Sequence, residues 1–358
     1  MIKRNKTRPV KVGNVTIGGN SSISVQSMCK TFTHDIQATV RQIHKLEDVG
    51  CEIVRVAVPD IRAVEALPKI KRQISIPLVA DVHFNYNLAL KSLGKGIDKL
   101  RINPGNIGDE KKIKLIGREA NNRGIPIRVG VNSGSLEKDL LRKYGSVTPE
   151  AMVESVMRCI KTLEDVDFSD IVVSLKASDT SRTVKAYELI AKLTRYPLHL
   201  GITEAGSINS GMIKSAIGIG HLLAEGIGDT IRVSLTGDPR EEVKVGFEIL
   251  KSLNLRKHGA NLISCPTCGR TEIDLIPISK EVERRLQKIK EPITVAVMGC
   301  VVNGPGEAKE ADVGVAGGKK VGAIFRKGNV VKTVKENEII DALFEEIDKI
   351  LDEKYGKS

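Results

Sequence analysis

The chain has 358 residues and is 41% hydrophobic, with 3% aromatic residues, no Trp and a formal net charge of +12. That is too long for one ordinary domain and ample for a core built from aliphatic side chains. No apolar run approaches the roughly 20 residues that span a bilayer, and the basic opening "MIKRNKTRPVKVG" leads into no apolar signal segment. The expectation is a soluble, cytoplasmic protein without a membrane partner. The positive balance suits nucleic acid, phosphorylated metabolites and acidic protein partners alike. There is no long Lys/Arg block, and aromatics are too few for base-stacking platforms, so nucleic acid is not the expected partner.

In chain order, "PVKVGNVTIGGNSS" (9–22) predicts a hairpin ahead of the first long strand, closing the floor of the fold. Eight short, β-branched apolar runs come next: 23–28, 52–58, 77–84, 99–105, 126–134, 170–178, 197–206 and 230–239. Each reads as a buried strand bounded by turn residues. The stretches between them read as amphipathic helices. In "DIQATVRQIHKLEDVG", for example, Ile36, Val40, Ile43 and Leu46 recur at helical spacing before Gly50. Strand then helix, repeated eight times, predicts a (β/α)8 TIM-type barrel over residues 1–253. The polar, turn-rich "NLRKHGAN" (254–261) predicts a linker. Residues 262–358 predict a small C-terminal α/β domain with a Gly-rich hairpin region (312–334) and a terminal amphipathic helix.

Five cations interrupt the apolar runs: Arg55, Arg101, Arg128, Lys176 and Arg232. Burying one unpaired charge costs several kcal/mol, so a lone example reads as a structural ion pair. Five near the ends of five strands converge on one mouth of a barrel, where active sites lie. The carboxylates expected there, Asp81, Glu204 and Glu52, are too few to pair with them all. Phosphate or diphosphate on a ligand supplies the missing charge, and guanidinium forks match it. Gln26, His83, Asn103, Asn132, Thr203 and Ser234 are expected on the same rim, with small residues in "NPGN", "VNSGS" and "TEAGS".

Of six cysteines, Cys29, Cys51 and Cys159 read as small buried hydrophobes. Cys265 and Cys268 in "SCPTCGR" and Cys300 in "VMGCVVNGPGE" form a different group. A zinc site wants a fourth nitrogen or sulfur, and the nearest His is His258 in the linker. A thioredoxin-like pair wants a different context. An iron–sulfur cluster with three thiolates leaves one iron for another ligand. Three function classes remain open on this chemistry. They are a cluster-dependent reductase, a zinc-stabilised basic nucleic-acid-binding protein, and a cofactor-free barrel lyase or transferase acting on a phosphorylated substrate.

Taken together, "SCPTCGR", "MGCVVNGPGEAKEADVG", "KLRINPGN", "VGVNSGSL", "LGITEAG" and "VSLTGDP" resemble bacterial 4-hydroxy-3-methylbut-2-enyl diphosphate synthases, the IspG/GcpE family of the methylerythritol phosphate route to isoprenoids. The resemblance runs from about Gln26 to beyond Gly314. It implies a [4Fe-4S] cluster held by Cys265, Cys268, Cys300 and Glu307. It implies 2-C-methyl-D-erythritol 2,4-cyclodiphosphate as substrate, with diphosphate held by Arg55, Arg101, Arg128, Lys176, Arg232 and Ser234 and with Asn132 and Thr203 nearby. Glu204 is expected to handle protons at the reacting carbon, with His83 as the alternative. The resemblance also implies reduced flavodoxin or ferredoxin as electron donor. A head-to-tail homodimer is expected, in which the cluster domain of one subunit caps the other's barrel and brings Asn303 to the substrate.

Overall fold

The computed structural model describes residues 2–300 and 308–356. The chain divides into two compact units, Met1–Arg256 and Lys257–Ser358. In the first, β1 (Val10–Val12) and β2 (Val15–Ile17) form an antiparallel hairpin. Its two-residue turn begins on Gly13, whose φ of +57° suits a turn with glycine first.

Eight parallel strands come next: β3 (Ser24–Met28), β4 (Ile53–Ala57), β5 (Leu78–Asp81), β6 (Lys99–Ile102), β7 (Ile127–Asn132), β8 (Ile171–Lys176), β9 (His199–Leu200) and β10 (Thr230–Ile231). Each pairs with its successor from β3 to β8, and β10 pairs with both β9 and β3. The parallel bridge between Val173 and Leu198 joins β8 to β9 and closes the ring. This is the (β/α)8 barrel that the strand–helix repetition predicts. Asp35, Asp60, Asp109, Asp179 and Asp238 start helices by accepting a bond from a first-turn N–H, which satisfies donors that a helix end otherwise strands. The last two strands are shorter than their apolar runs. Ile202, Ala205, Val233 and Leu235 are buried beyond the paired residues, so burial rather than pairing accounts for the rest of each run.

Ile53, Val79 and Val172 point into the barrel and pack with Val10, Val12 and Ile17 of the hairpin, which form an apolar floor. The expected role of residues 9–22 is thus met by packing at the N-terminal end of the strands. Of the stretch expected as linker, Leu255 packs on the barrel core. Arg256 makes a two-oxygen ion pair with Glu52 and donates to Ile23 O, while Ala260 and Asn261 already belong to a strand.

The second unit has one five-stranded sheet in sequence order: β11 (Ala260–Ser264), β12 (Ile293–Met298), β13 (Val313–Gly318), β14 (Val321–Arg326) and β15 (Asn329–Lys335). The first three are parallel and the last two are added antiparallel. Two helices, Leu275–Leu286 and Ile339–Tyr355, cover one face. Alternation sends Val295, Val297, Val313 and Val315 to them, and Ala296, Met298 and Ala316 to the other side. No helix among the described residues is long and apolar enough to cross a membrane.

Candidate active site

Strand alternation decides which side chains enter the barrel. Val54, Val56, Ala80, Leu100, Val129, Leu175 and Leu200 belong to the core between strands and helices. Their neighbours Arg55, Asp81, Lys99, Arg101, Arg128, Lys176 and His199 therefore face inward. All seven are buried.

Asp81 is the hub. Its carboxylate lies 3.0 Å from Arg101 Nη1, 3.4 Å from Arg55 Nε and 3.4 Å from His83 Nε2. Burial opposes its ionisation, but Arg55 and Arg101 outweigh that and hold it well below the usual carboxylate range. Burial pushes Arg55 down to about 10, with Asp81 opposing and Arg232 and Arg101 adding to the fall. Arg232 has a partner that sequence reading missed. Glu242, on helix Pro239–Ser252, lies 3.2 Å away and also accepts from Ser27 Oγ and the Leu235 N–H. Nothing in the pattern singles it out, because a helix residue reaches this strand end only through the fold.

Arg128 and Lys176 have no carboxylate within ion-pair distance among the described residues. Arg128 is 1% exposed, and its single side-chain bond is Nη1 to Ser174 Oγ at 3.2 Å. Its Nε and Nη2 are buried without a partner, as are the Nε atoms of Arg101 and Arg232. Burial, then the neighbouring guanidinium groups, pushes both Arg128 and Lys176 well below their ordinary values. Buried donors aimed into a cation-rich interior call for an anion.

Two glycines make this crowding possible. A Cβ on Gly130 would stand 2.9 Å from Arg101 Nε and 2.9 Å from Ser174 Oγ. One on Gly201 would stand 2.5 Å from Arg232 O and 2.7 Å from Lys176 Nζ. Both are places where a charged chain lies flat on backbone.

Around the rim, His83 sits beside Arg101 and Asp81. Ser234 Oγ accepts from Arg232. Asn132 and Thr203 are half-buried, and Glu204 is exposed. Glu204 has φ +51°, a left-handed conformation that costs a non-glycine residue on the order of 1 kcal/mol. Two expectations, for Gln26 and Glu52, are corrected, while Asn103 follows β6 at the expected strand end but with its side chain engaged. Asn103 is consumed as a cap, since Oδ1 accepts from the Gly105 N–H and Nδ2 donates to Ser135 Oγ. Gln26 pairs in register with floor residue Ile53 and lies deep, not on the rim. Glu52 precedes β4, so it stands at the strands' N-terminal end with Arg256.

In the second unit, Cys265 follows β11 and Cys300 follows β12. These strands are adjacent and parallel, with Ser264 opposite Val297, so their C-terminal ends bring the thiols together. Cys265, Cys268 and Cys300 line one cavity of about 150 Å³ with Pro266, Thr267, Arg270, Met298 and Gly299. The Gly299 N–H donates to Cys265 Sγ at 3.3 Å. Among the described residues no group of three His, Cys, Asp or Glu is arranged around a single metal ion. Three thiols on one partly apolar cavity, one already accepting a backbone N–H, suit the thiolate donor set of an iron–sulfur cluster. Asn303 and Glu307 lie outside the described residues. Cys29, Cys51 and Cys159 are buried. Burial pushes Cys29 and Cys51 up to about 12 and Cys159 higher still, as inert core thiols require.

Fold and site thus define a closed α/β barrel enzyme with a cation-rich interior, followed by a domain carrying a three-thiol cavity. Residues 7–247 match the GcpE TIM-barrel domain and residues 261–349 the GcpE protein C-terminal domain. The chain belongs to the GcpE family and is an oxidoreductase. It is 59% identical over 355 residues to the 4-hydroxy-3-methylbut-2-en-1-yl diphosphate synthase (flavodoxin) of Caldanaerobacter subterraneus, covering 99% of this chain and 100% of that one. It is 60% identical over 350 residues to the protein of the same name from Geobacter sulfurreducens, covering 98% and 99%. Among solved structures, a type I 3-dehydroquinate dehydratase from Clostridium difficile superposes with a TM-score of 0.53 at 14% identity, over 69% of this chain and 98% of its own. That likeness concerns the barrel fold alone.

Proposed function

We propose that this chain catalyses the reductive ring opening of 2-C-methyl-D-erythritol 2,4-cyclodiphosphate to 4-hydroxy-3-methylbut-2-enyl diphosphate. The observation that carries the reading is the surplus of buried guanidinium donors without partners in the barrel, in a family whose curated members bear that synthase name. The balance is one cyclic diphosphate dianion, two electrons and one proton giving the linear diphosphate trianion and water. The C–O bond to phosphate opens, a hydroxyl leaves as water, and an alkene forms.

Arg55, Arg101, Arg128, Lys176, Arg232 and Ser234 bind the diphosphate. Asp81 and Glu242 hold three of these guanidinium groups in place, so that the forks are preorganised before the anion arrives. Asn132 and Thr203 orient the carbon skeleton, and Asn303 approaches it from the cluster domain. Glu204 handles the proton at the reacting carbon, with His83 as the alternative. Cys265, Cys268 and Cys300, with Glu307, would hold a [4Fe-4S] cluster that supplies electrons singly. The carboxylate in that set is a weaker ligand than thiolate and can yield its position. The acidic donors flavodoxin and ferredoxin both suit a chain of net charge +12.

The substrate site and the thiols belong to different units, so a head-to-tail homodimer is part of the proposal, with one subunit's second unit over its partner's barrel. The exposed side chains Phe32 and Phe84, on loops after β3 and β5, support a covered mouth.

The test is anaerobic purification with iron, sulfide and zinc analysis, then visible spectra and product assay with the cyclic diphosphate and dithionite. About four irons and four sulfides per chain, a brown band altered by substrate on reduction, and formation of the alkene product are expected. A colourless zinc protein, unchanged by iron–sulfide reconstitution, overturns the reading.

A further inference from the structure

Beneath the proposed diphosphate site lies a second polar layer that the proposed reaction does not use. Lys99 is paired in register with Val79, Arg128 with Val172 and Gln26 with Ile53. These polar groups are thus ladder neighbours of the apolar floor. Lys99 and His199 are 0% exposed. Lys99 Nζ has one acceptor, Gln26 Oε1 at 3.4 Å. No carboxylate is within ion-pair distance of it among the described residues. Gln26 Nε2 and both His199 ring nitrogens are buried without partners.

Counting inward-facing charge shows why this layer is unusual. The strands carry Arg55, Lys99, Arg101, Arg128, Lys176 and Arg232 against Asp81 and, from a surrounding helix, Glu242, which Lys30 also approaches at 3.5 Å; six strand cations against two carboxylates leave a formal excess of four. Guanidinium groups stay protonated in proteins, whereas a buried ammonium sheds its proton readily. The charges that act on Lys99 are Arg128 on β7 and Arg55 on β4, with Arg101 two residues along its own strand. His199, on β9, is close enough to feel the Lys99 charge, as it feels Lys176, Arg128 and Arg55. The hairpin below contributes only apolar side chains. Asp81 is engaged by Arg55, Arg101 and His83. Burial first, then Arg128 and Arg55, pushes Lys99 well below its ordinary value.

We propose that Lys99 is a charge-compensating residue for the anion site: neutral in the ligand-free barrel, it takes up a proton when a diphosphate enters above it. The proposal rests on reading the mouth as a diphosphate site. Lys99 does not touch the ligand. It is a positioning residue that acts through Arg128 and Gln26. The neutral amine relieves repulsion in the empty barrel. A bound dianion cancels much of that positive excess, which removes the main penalty on the ammonium, and the ammonium then adds to the attraction for the ligand. Ring opening adds a third negative charge to the ligand, so the same proton also favours the charge that develops in the reaction. The competing proton acceptors are His199, equally buried and unpartnered, and Lys176, a buried ammonium that also has no carboxylate within ion-pair distance among the described residues; uptake that persists in both Lys99 variants assigns the proton to one of them.

The test is isothermal titration calorimetry on the oxidised, anaerobic holoenzyme with the cyclic diphosphate and no reductant. It is run near pH 8 in two buffers of different ionisation enthalpy. The cyclic diphosphate does not itself titrate there, so the buffer dependence reads protein protons. Wild type is expected to take up about one proton per site, with affinity falling up to about tenfold per pH unit as pH rises. Lys99→Met, and Lys99→Gln as a polar alternative should the first fail to fold, should take up none and bind with a flat pH profile.

Equal uptake by wild type and both variants overturns the assignment, as does loss of uptake in His199→Asn alone. If the cyclic diphosphate binds neither wild type nor variant, the functional reading falls. The comparison is then made with inorganic pyrophosphate, whose own titration is common to both proteins. A wild-type excess of about one proton supports Lys99, and no excess overturns it.

Discussion

Replacing Asp81 with Asn removes one charge and almost no volume from the centre of the barrel. Its carboxylate is 4% exposed and bridges Arg101 at 3.0 Å and Arg55 at 3.4 Å, whose side chains are 3% and 10% exposed. Removing one member of such a buried set leaves uncompensated charge, and typically costs about 3–5 kcal/mol. For a unit of this size each kcal/mol moves the midpoint by about 2–4 °C, so Asp81→Asn should lower the melting temperature of the barrel by about 6–20 °C. The deficit is electrostatic, so an anion should refill it. Wild type gains about 2.7 kcal/mol from a ligand at a hundred times its Kd. The variant should gain more at the same pyrophosphate concentration, because the anion takes the place of the lost carboxylate. The assay is thermal unfolding with and without pyrophosphate at low ionic strength.

The pH dependence has a definite sign. The folded-state pKa of Asp81 lies below its unfolded value, so the carboxylate's contribution is complete above the ordinary carboxylate range and fades as pH falls through the folded value. The difference between wild type and variant should therefore be constant near neutrality and shrink in acid. A loss under about 1 kcal/mol, or equal stabilisation of both proteins by pyrophosphate, would refute the view that Asp81 holds an otherwise unpaired cation cluster.

Gly201→Ala should weaken pyrophosphate binding by at least about tenfold, because its Cβ would meet Arg232 O at 2.5 Å and Lys176 Nζ at 2.7 Å; calorimetry checks it. Cys268→Ser should lose most of its iron on anaerobic purification, while Cys29→Ser, in the barrel core, should keep it; an unchanged iron content in the first would separate the thiol cavity from any cluster. Glu204→Gln should abolish turnover with substrate affinity and iron content retained, and full turnover would remove Glu204 from the reaction. Lys99→Met should raise the melting temperature. The folded-state value of Lys99 is depressed, so the gain should be largest at neutral pH and below, and should shrink as pH approaches about 10.4; a variant less stable than wild type at pH 7 would show that Lys99 is already paired.

Much of the barrel was legible because period-two burial and period-3.6 amphipathicity leave separate marks. Arg55, Arg101, Arg128, Lys176 and Arg232 stood out because a charge inside an apolar run has no bland explanation. Lys99 was equally readable in principle, since counting back two from Arg101 keeps the same face; it escaped because it opens its run and passes for a strand boundary. His199 precedes Gly201 by the same step and went unnoticed for want of a charge. Gln26 is misplaced because polarity near a strand end does not distinguish a rim ligand from a floor residue, and for the same reason Asn103, rightly placed, does not show in the sequence as a helix cap.

The sequence by itself determined the repeating order of strands and helices, the cations within the strands, and the three thiols that resemble an iron–sulfur ligand set. Each of these is local, written in residues a few positions apart. Only the tertiary structure decided who meets whom. It brought Glu242 from a helix to Arg232, gave Asp81 to Arg55 and Arg101 together, and moved Glu52 to the far end of the barrel. It also cleared Gly130 and Gly201 for charged chains to cross, and seated Lys99 beside the floor with no carboxylate among the described residues within ion-pair distance. Closing a barrel sets residues from distant strands a few ångströms apart, and the balance of charge inside it depends on those distances rather than on spacing along the chain.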